Sequence, residues 1–380
     1  MSAPWDARAP EMQVEVEGAP ATGAEEGGVM PDQLSPRHLR RRLLELAGVA
    51  VLITTVVLAV PGLGEVRTRL SHASPGWLAV AVGLELLSVL FYVLIFRAVF
   101  CPRMSWRFSS QVAMSELAAN SVFPLSGAGG LALGAWALRR GGMDVEQIGR
   151  KTVAFYFLTS LANVTILIVF AFLYAVGALG HDPSPALTYL FGALSLAAVV
   201  AVIAIPVVLG RLRSPGSARG EPGRIARAVA LARRSLVDGV PDAELLLRRR
   251  SPGVLLGSFG TTACDIAVLG AGFRAVGVSP PIGALVVGYL IGMLGGNVPV
   301  PGGIGGVDAG LIGALTLFHE PLAATTVAVL TYHAISLWVP AAVGSVAFVR
   351  LRATLQRDER PAAICMPLAE PIEAVAASAT

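Results

Sequence analysis

Asp308 follows a run of helix-breaking residues, Asn297-Val-Pro-Val-Pro301-Gly302-Gly303-Ile-Gly305-Gly306-Val-Asp308, inside one of the most apolar parts of the chain. Proline removes a backbone donor and glycine permits turns closed to other residues, so no continuous helix can pass here. At membrane depth such a break is tolerated only where protein or a water-filled cavity receives the freed backbone groups. Amides of Gly302, Gly303, Gly305 and Gly306 converging at the start of a half-helix favour an anion such as a lipid phosphate. Asp308 opposes a phosphate unless it is protonated, holds the cationic part of a zwitterionic headgroup, or pairs with His333. The expectation is that the glycine amides, with Asn297 and Pro301 shaping the break, meet phosphate. Asp308 with His333 would then meet an amine or carry a proton.

A second break lies earlier, at Asn120-Ser-Val-Phe-Pro124-Leu-Ser-Gly-Ala-Gly129-Gly130. Asn120 to Pro124 is a step of four, as is Asn297 to Pro301, and Gly129-Gly130 answers Gly305-Gly306. Tyr156 and His333 each lie 32 positions beyond their proline. Arg107 precedes the first break and Arg139, Arg140, Arg150 and Lys151 follow it, which puts both its ends in the cytoplasm by the positive-inside rule. The second break has no Lys or Arg beside it, between Pro280-Pro281 and His319-Glu320-Pro321, and is expected to open outward. The two units would then be inverted about the membrane plane, a design of alternating-access transporters.

Further candidates are Glu85, Glu116 and Asp265, acids inside apolar stretches that cost a few kcal/mol each at the bilayer centre unless they face the bundle. Asp265, with Thr261 and Thr262 a turn earlier, and Glu116, before the first break, join the expected binding set. For each acid a structural hydrogen-bonded role stands beside the functional one. Met and aromatic residues along the spans read as packing and interfacial anchors.

Hydrophobic residues make up 54% of the 380 residues and charged ones 14%, with a mean hydropathy of +0.69. That is an integral membrane protein, with no room for a separate soluble catalytic domain of about 100 residues. The basic balance of +4 comes from arginines bordering apolar spans and therefore does not imply nucleic acid. Cys101, Cys264 and Cys365 lie far apart, so neither a zinc site nor a disulfide framework is expected. No Gly-x-x-x-x-Gly-Lys-Ser/Thr loop is present, and no cofactor is expected.

The elements that must position these residues follow from the order of apolar stretches. Residues 1–36 read as a disordered acidic cytoplasmic tail, 37–353 as the transmembrane domain, and 354–380 as a disordered cytoplasmic tail. Full spans are expected near 43–60, 77–96, 152–176, 187–209, 254–276 and 322–348, with hairpins at 108–138 and 282–318. The fold class is all-α and polytopic, about six full spans plus two re-entrant or broken-helix hairpins, in an inverted repeat, in the plasma membrane with both termini cytoplasmic. In the basic loop 211–250, Ile225, Val229, Ala232 and Leu236 share a helical face away from Arg224, Arg227 and Arg234. This fits either a helix lying on an anionic membrane surface or a solvated linker helix.

The Val298–Asp308 run, the Asn120–Gly130 break and the span ending in Trp338-Val339-Pro340 resemble the lysylphosphatidylglycerol synthase transmembrane family, over roughly residues 43–352. That family comprises the flippase-like membrane module of multiple peptide resistance factors and stand-alone relatives. The resemblance implies movement of a phospholipid or lipid-linked headgroup between leaflets, with anionic or zwitterionic membrane lipids as partners and a lipid-modifying enzyme as another. Asp308 stands where the family has Glu. His333 stands where its last span has Arg, and Leu131 or a neighbour where an acid follows the first glycine run. The aminoacyl-transferase domain of the full synthase is absent from this chain, so the resemblance points to a transporter rather than an enzyme. Two other classes stay open: a membrane-embedded lipid headgroup transferase using Glu85, Glu116, Asp265 and Asp308, and a membrane scaffold binding partners through loop 211–250.

Overall fold

The computed structural model describes residues 64–122, 128–178, 224–293 and 306–357, together with Cys365 and a few positions between 189 and 204. These residues form α1 (Gly64–Ser71), α2 (Pro75–Phe100), α3 (Trp106–Val122), α4 (Ala128–Arg140) and α5 (Val145–Ala175). They continue as α6 (Arg224–Arg248), α7 (Pro252–Ala275), α8 (Ile282–Gly292), α9 (Gly306–Leu317) and α10 (Leu322–Leu355). No strand occurs among the described residues. The expected spans near 43–60 and 187–209, most of both tails, and the centres of the two breaks lie outside them.

Four helices, α2, α5, α7 and α10, are long and apolar enough to cross a membrane. The shortest, α7, has 24 residues, about 36 Å at the usual rise against a hydrocarbon core of about 30 Å. Local chemistry sets their starts. Pro75 and Pro252 open α2 and α7, where a missing N–H costs nothing. Asp144 caps α5 by accepting from the Glu146 amide at 2.9 Å. Leu86, Leu87 and Leu90 on α2, Phe172 on α5, and Val346 and Val349 on α10 are exposed, as side chains facing acyl chains must be.

The helices beside the two breaks are shorter. Helix α8 has 11 residues and α9 has 12, each under about 20 Å, so neither crosses the core alone. They fold back on each other because Gly292 faces the backbone of Leu311 and Gly310 faces the carbonyl of Gly292. Helices α3 and α4 form the other hairpin, with Gly130 against Asn120 and Gly134 against Glu116. The Gly130 amide donates to Asn120 Oδ1 at 2.9 Å, so the Asn120 side chain reaches across the break and satisfies a donor in the first turn of α4.

Helices α2 and α7 run antiparallel. The Ser74 amide, at the start of α2, donates to the Ala275 carbonyl, at the end of α7, at 2.8 Å. Further along, Gly260 lies against the Phe91 ring and Gly257 against Ile95, where an added Cβ would sit 2.6 Å from the Ile95 Cβ. Helix α10 packs antiparallel on α3 through Gly344, which meets Met114 and Ala118, and Thr354 donates to Gln111 Oε1 at 3.1 Å. One core cluster gathers Phe96, Phe100, Phe108 and Phe155 at the Cys101 end of the bundle. Another gathers Phe273, Tyr289, Leu315 and Tyr332 around the second hairpin.

One expectation needs correction, and another lies mostly outside the described side chains. Of the helical face expected from Ile225, Val229, Ala232 and Leu236 only Leu236 has a described side chain, and the second half of α6 seats one face on α5. Ser235 and Ala243 are buried, Gly239 packs on Val153 of α5, and Asp242 receives Arg150 at 2.9 Å and Lys151 at 3.2 Å. Cys101 and Cys365 form a disulfide, Cα to Cα 5.9 Å across a separation of 264 residues, and Gln147 Nε2 donates to the Cys365 carbonyl at 2.9 Å. Local spacing could not show this pair, because the fold brings the end of α2 and the C-terminal segment together. The segment after residue 353 is therefore tethered at Cys365, and Cys264 is a buried free thiol.

Gly257→Leu must overpack the α2–α7 contact and is expected to cost about 1–3 kcal/mol, read as a lowered melting temperature in detergent. Gly83→Leu, at a position with no neighbour within 4 Å of an added Cβ, is expected to leave that temperature nearly unchanged. Alkylation of the unfolded, non-reduced protein is expected to label Cys264 alone. After reduction, mass spectrometry is expected to count three labelled cysteines.

Candidate functional site

A cavity of about 280 Å³ opens in the middle of the bundle, walled by α2, α3, α7 and α10 and closed by the inner ends of the second hairpin at Met293 and Val307. Its polar lining comes from Glu85, Ser88 and Tyr92 on α2, Asn120 and Ser121 on α3, Thr261 and Asp265 on α7, and Tyr332, His333 and Ser336 on α10. Among the described residues two carboxylates and one imidazole face it, and no Lys or Arg does. Pro340 also lines it and, lacking an N–H, cannot donate to the Ser336 carbonyl one turn earlier.

Asp265 is the most fully held of these groups. Ser88 donates to its Oδ1 at 2.7 Å from the antiparallel neighbour, and the Tyr289 hydroxyl donates to its Oδ2 at 3.4 Å from α8. Tyr289 and Tyr332 share a hydroxyl contact at 3.3 Å, extending the network to α10. Glu85 stands one turn before Ser88, 5% exposed, and its Oε2 has no hydrogen-bond partner among the described residues. A buried carboxylate oxygen left unsatisfied is costly unless a ligand or water meets it.

An acid–imidazole pair borders the cavity on the side of α9. His333 Nδ1 lies 2.9 Å from Asp308 Oδ1, with both side chains largely shielded. Asp308 sits in the first turn of α9, where the helix dipole favours a negative charge. That positive pole is thus occupied by the protein's own carboxylate, which leaves less of it for a substrate anion.

The expected site residues separate into four groups. Asn120, Asp265 and His333 line the cavity, and Asp308 reaches it through His333. Gly129, Gly130 and Gly306 lie in the first turns of α4 and α9 and let the half-helices start beside it. Glu116 is buried behind the wall, where Tyr92 donates to it and Gly134 leaves it room. Asn297, Pro301, Gly302, Gly303, Gly305 and Pro124 lie outside the described residues. Tyr156, placed like His333 relative to its proline, is instead on the half-exposed side of α5.

The partners of Asp265 differ from those expected. Thr261 donates to the Gly257 carbonyl at 2.7 Å and Thr262 to Asn163 Oδ1 at 2.6 Å, so neither holds the carboxylate. Threonine in a helix bonds the preceding turn readily, and a partner from another helix was needed. Glu85 stands among the acids singled out from sequence, whereas Ser88, Tyr92, Tyr332 and Ser336 do not. The i, i+3 spacing of Glu85 and Ser88, both polar in an otherwise apolar span, is the signal that could have found Ser88.

Among the described residues no group of three or more His, Cys, Asp or Glu is arranged to hold a metal ion. No curated protein matches the chain. The family described as Lysylphosphatidylglycerol synthase TM region matches residues 46–344, a stretch that contains both breaks and every described wall of the cavity. A match over most of the chain, on the helices that build the site, makes this protein a member of the lysylphosphatidylglycerol synthase transmembrane family.

Proposed function

We propose that the protein is a flippase-like transporter that carries a phospholipid or lipid-linked headgroup between leaflets through the central cavity. The observation that carries this reading is the cavity itself, a space between apolar helices into which a cluster of polar side chains faces, bordered by both broken hairpins. Its volume is that of about nine waters at roughly 30 Å³ each. A headgroup fits such a space and two acyl chains do not, so the chains would stay in the bilayer as the headgroup passes.

The lining favours a headgroup bearing an amine. Asp265, Glu85 and, through His333, Asp308 supply negative charge or acceptors, and no Lys or Arg competes among the described residues. Asn120, Tyr332 and Ser336 supply neutral hydrogen-bonding groups for the ester and phosphate oxygens. Movement would follow from an inverted repeat. Ser74-Pro75-Gly76 begins α2 and Ser251-Pro252-Gly253 begins α7, 177 positions apart, the same interval that separates Asn120 from Asn297 and Pro124 from Pro301. The two corresponding helices pack antiparallel, as a two-fold axis in the membrane plane requires. In this reading the hairpins α3–α4 and α8–α9 enter from opposite faces and alternate in closing the cavity.

In proteoliposomes carrying fluorescent anionic, zwitterionic and aminoacylated lipids, the wild type is expected to speed leaflet exchange most for headgroups with a free amine. Asp265→Asn is expected to lower that exchange at least tenfold, and Asp308→Asn to lower it less, with the protein eluting as a folded species. Exchange no faster than in protein-free liposomes would remove the transport reading. A new covalent lipid product would replace it with headgroup transfer.

A further inference from the structure

A separate groove lies between the start of α3 and the C-terminal third of α10. Its deeper part, about 600 Å³, is lined by Arg107, Ser110, Gln111 and Arg350 on its polar side and by Val343 and Val346 on its apolar side. Among the described residues it carries two guanidinium groups and no carboxylate. Thr354 donates to Gln111 Oε1, so the Gln111 amide nitrogen remains to donate into the groove.

A second hollow of about 450 Å³ adjoins it and shares Arg107, Ser110 and Met114. This one is almost wholly apolar, walled by Leu90, Phe91 and Leu94 of α2, with Trp106 at its mouth. Trp106 is 54% exposed, with Arg97 4.4 Å from the centroid of its ring. Tryptophan with arginine at this level marks a headgroup boundary. A pocket with two arginines that opens into an apolar slot has the shape and charge of one molecule: a phosphate joined to an acyl chain.

We propose that this groove binds an anionic glycerophospholipid from the adjoining leaflet, its phosphate between Arg107 and Arg350 and one acyl chain along Leu90, Phe91 and Leu94. Arginine suits the task because its planar fork pairs bidentately with phosphate oxygens. The bound lipid bridges α3 and α10, two helices that also wall the central cavity, yet it occupies a place apart from that cavity.

The test is thermal unfolding of the full-length protein in neutral detergent, with phosphatidylglycerol or phosphatidylcholine added, and lipid counting by native mass spectrometry. The wild type is expected to gain several degrees from phosphatidylglycerol and little from phosphatidylcholine, and to retain one tightly bound anionic lipid. The double variant Arg107→Gln/Arg350→Gln is expected to lose both the selective gain and the retained lipid. Arg103→Gln, an exposed arginine outside the groove, is expected to keep both. Since Arg107 and Arg350 are exposed, lipid-free melting of the double variant should match the wild type. Leu90→Trp, which fills the slot and leaves both charges, is expected to lose the retained lipid. Equal stabilisation by the two lipids, an undiminished effect in the double variant, or an equal loss in Arg103→Gln would each overturn the site. None of these readouts depends on transport.

Discussion

The close antiparallel contact of α2 and α7 is the constraint on which the rest of the structure depends. Gly257 and Gly260 remove the side chains that would hold the two backbones apart, and only at that separation can Ser88 reach Asp265 at 2.7 Å. A carboxylate among apolar helices needs donors from its neighbours to offset its burial. The Ser88 hydroxyl from one side and the Tyr289 hydroxyl from the other supply them, and Tyr289 in turn meets Tyr332. The position of α8 and α10 around the cavity is therefore tied to one acid on α7. Widening the α2–α7 contact would loosen all three.

The breaks and the spans were legible in the chain because their causes are local. Proline and paired glycines stop a helix wherever they occur, and the second break does separate α8 from α9 while the first separates α3 from α4. Long apolar runs become helices for an equally local reason, since no other spanning structure satisfies the backbone within one segment. Four such helices are described, and the family match covers both breaks. The membership expected from the Pro-Gly-Gly-Ile-Gly run and the flanking spans thus agrees with the family found.

The cavity was legible only in part, because its contents are decided between helices. Asp265 stood out as an acid in an apolar span, yet its neighbours in sequence, Thr261 and Thr262, turn to a backbone carbonyl and to Asn163. Its real partners lie 177 and 24 positions away. Glu116 has the same signature in sequence, an acid beside a glycine-rich break, but the Tyr92 hydroxyl and the space left by Gly134 hold it behind the wall. The Cys101–Cys365 bond and the seating of Ser235, Gly239 and Ala243 against α5 belong to the same class of fact. These last two arise from closure of the chain over more than eighty residues, and no local pattern encodes which surfaces meet.

The two hairpins solve the same problem with different chemistry, and the difference bears on how the cavity can open. In the first, Asn120 spans the break to the Gly130 amide, so the two half-helices are joined to each other and α3 is further fixed on α10 through Gly344. In the second, Tyr289 ties α8 to Asp265 and Tyr332, and Asp308 of α9 meets His333 of α10 through side chains that can exchange this partner for a ligand. A hydrogen bond to a charged group is worth about 1.5–3 kcal/mol net. That is small enough for a bound amine to match and large enough to bias a two-state equilibrium by a factor of ten or more. Under the proposed cycle the second hairpin is accordingly the element whose position responds to what occupies the cavity, while the first, held through backbone amide and glycine contacts, stays with α10.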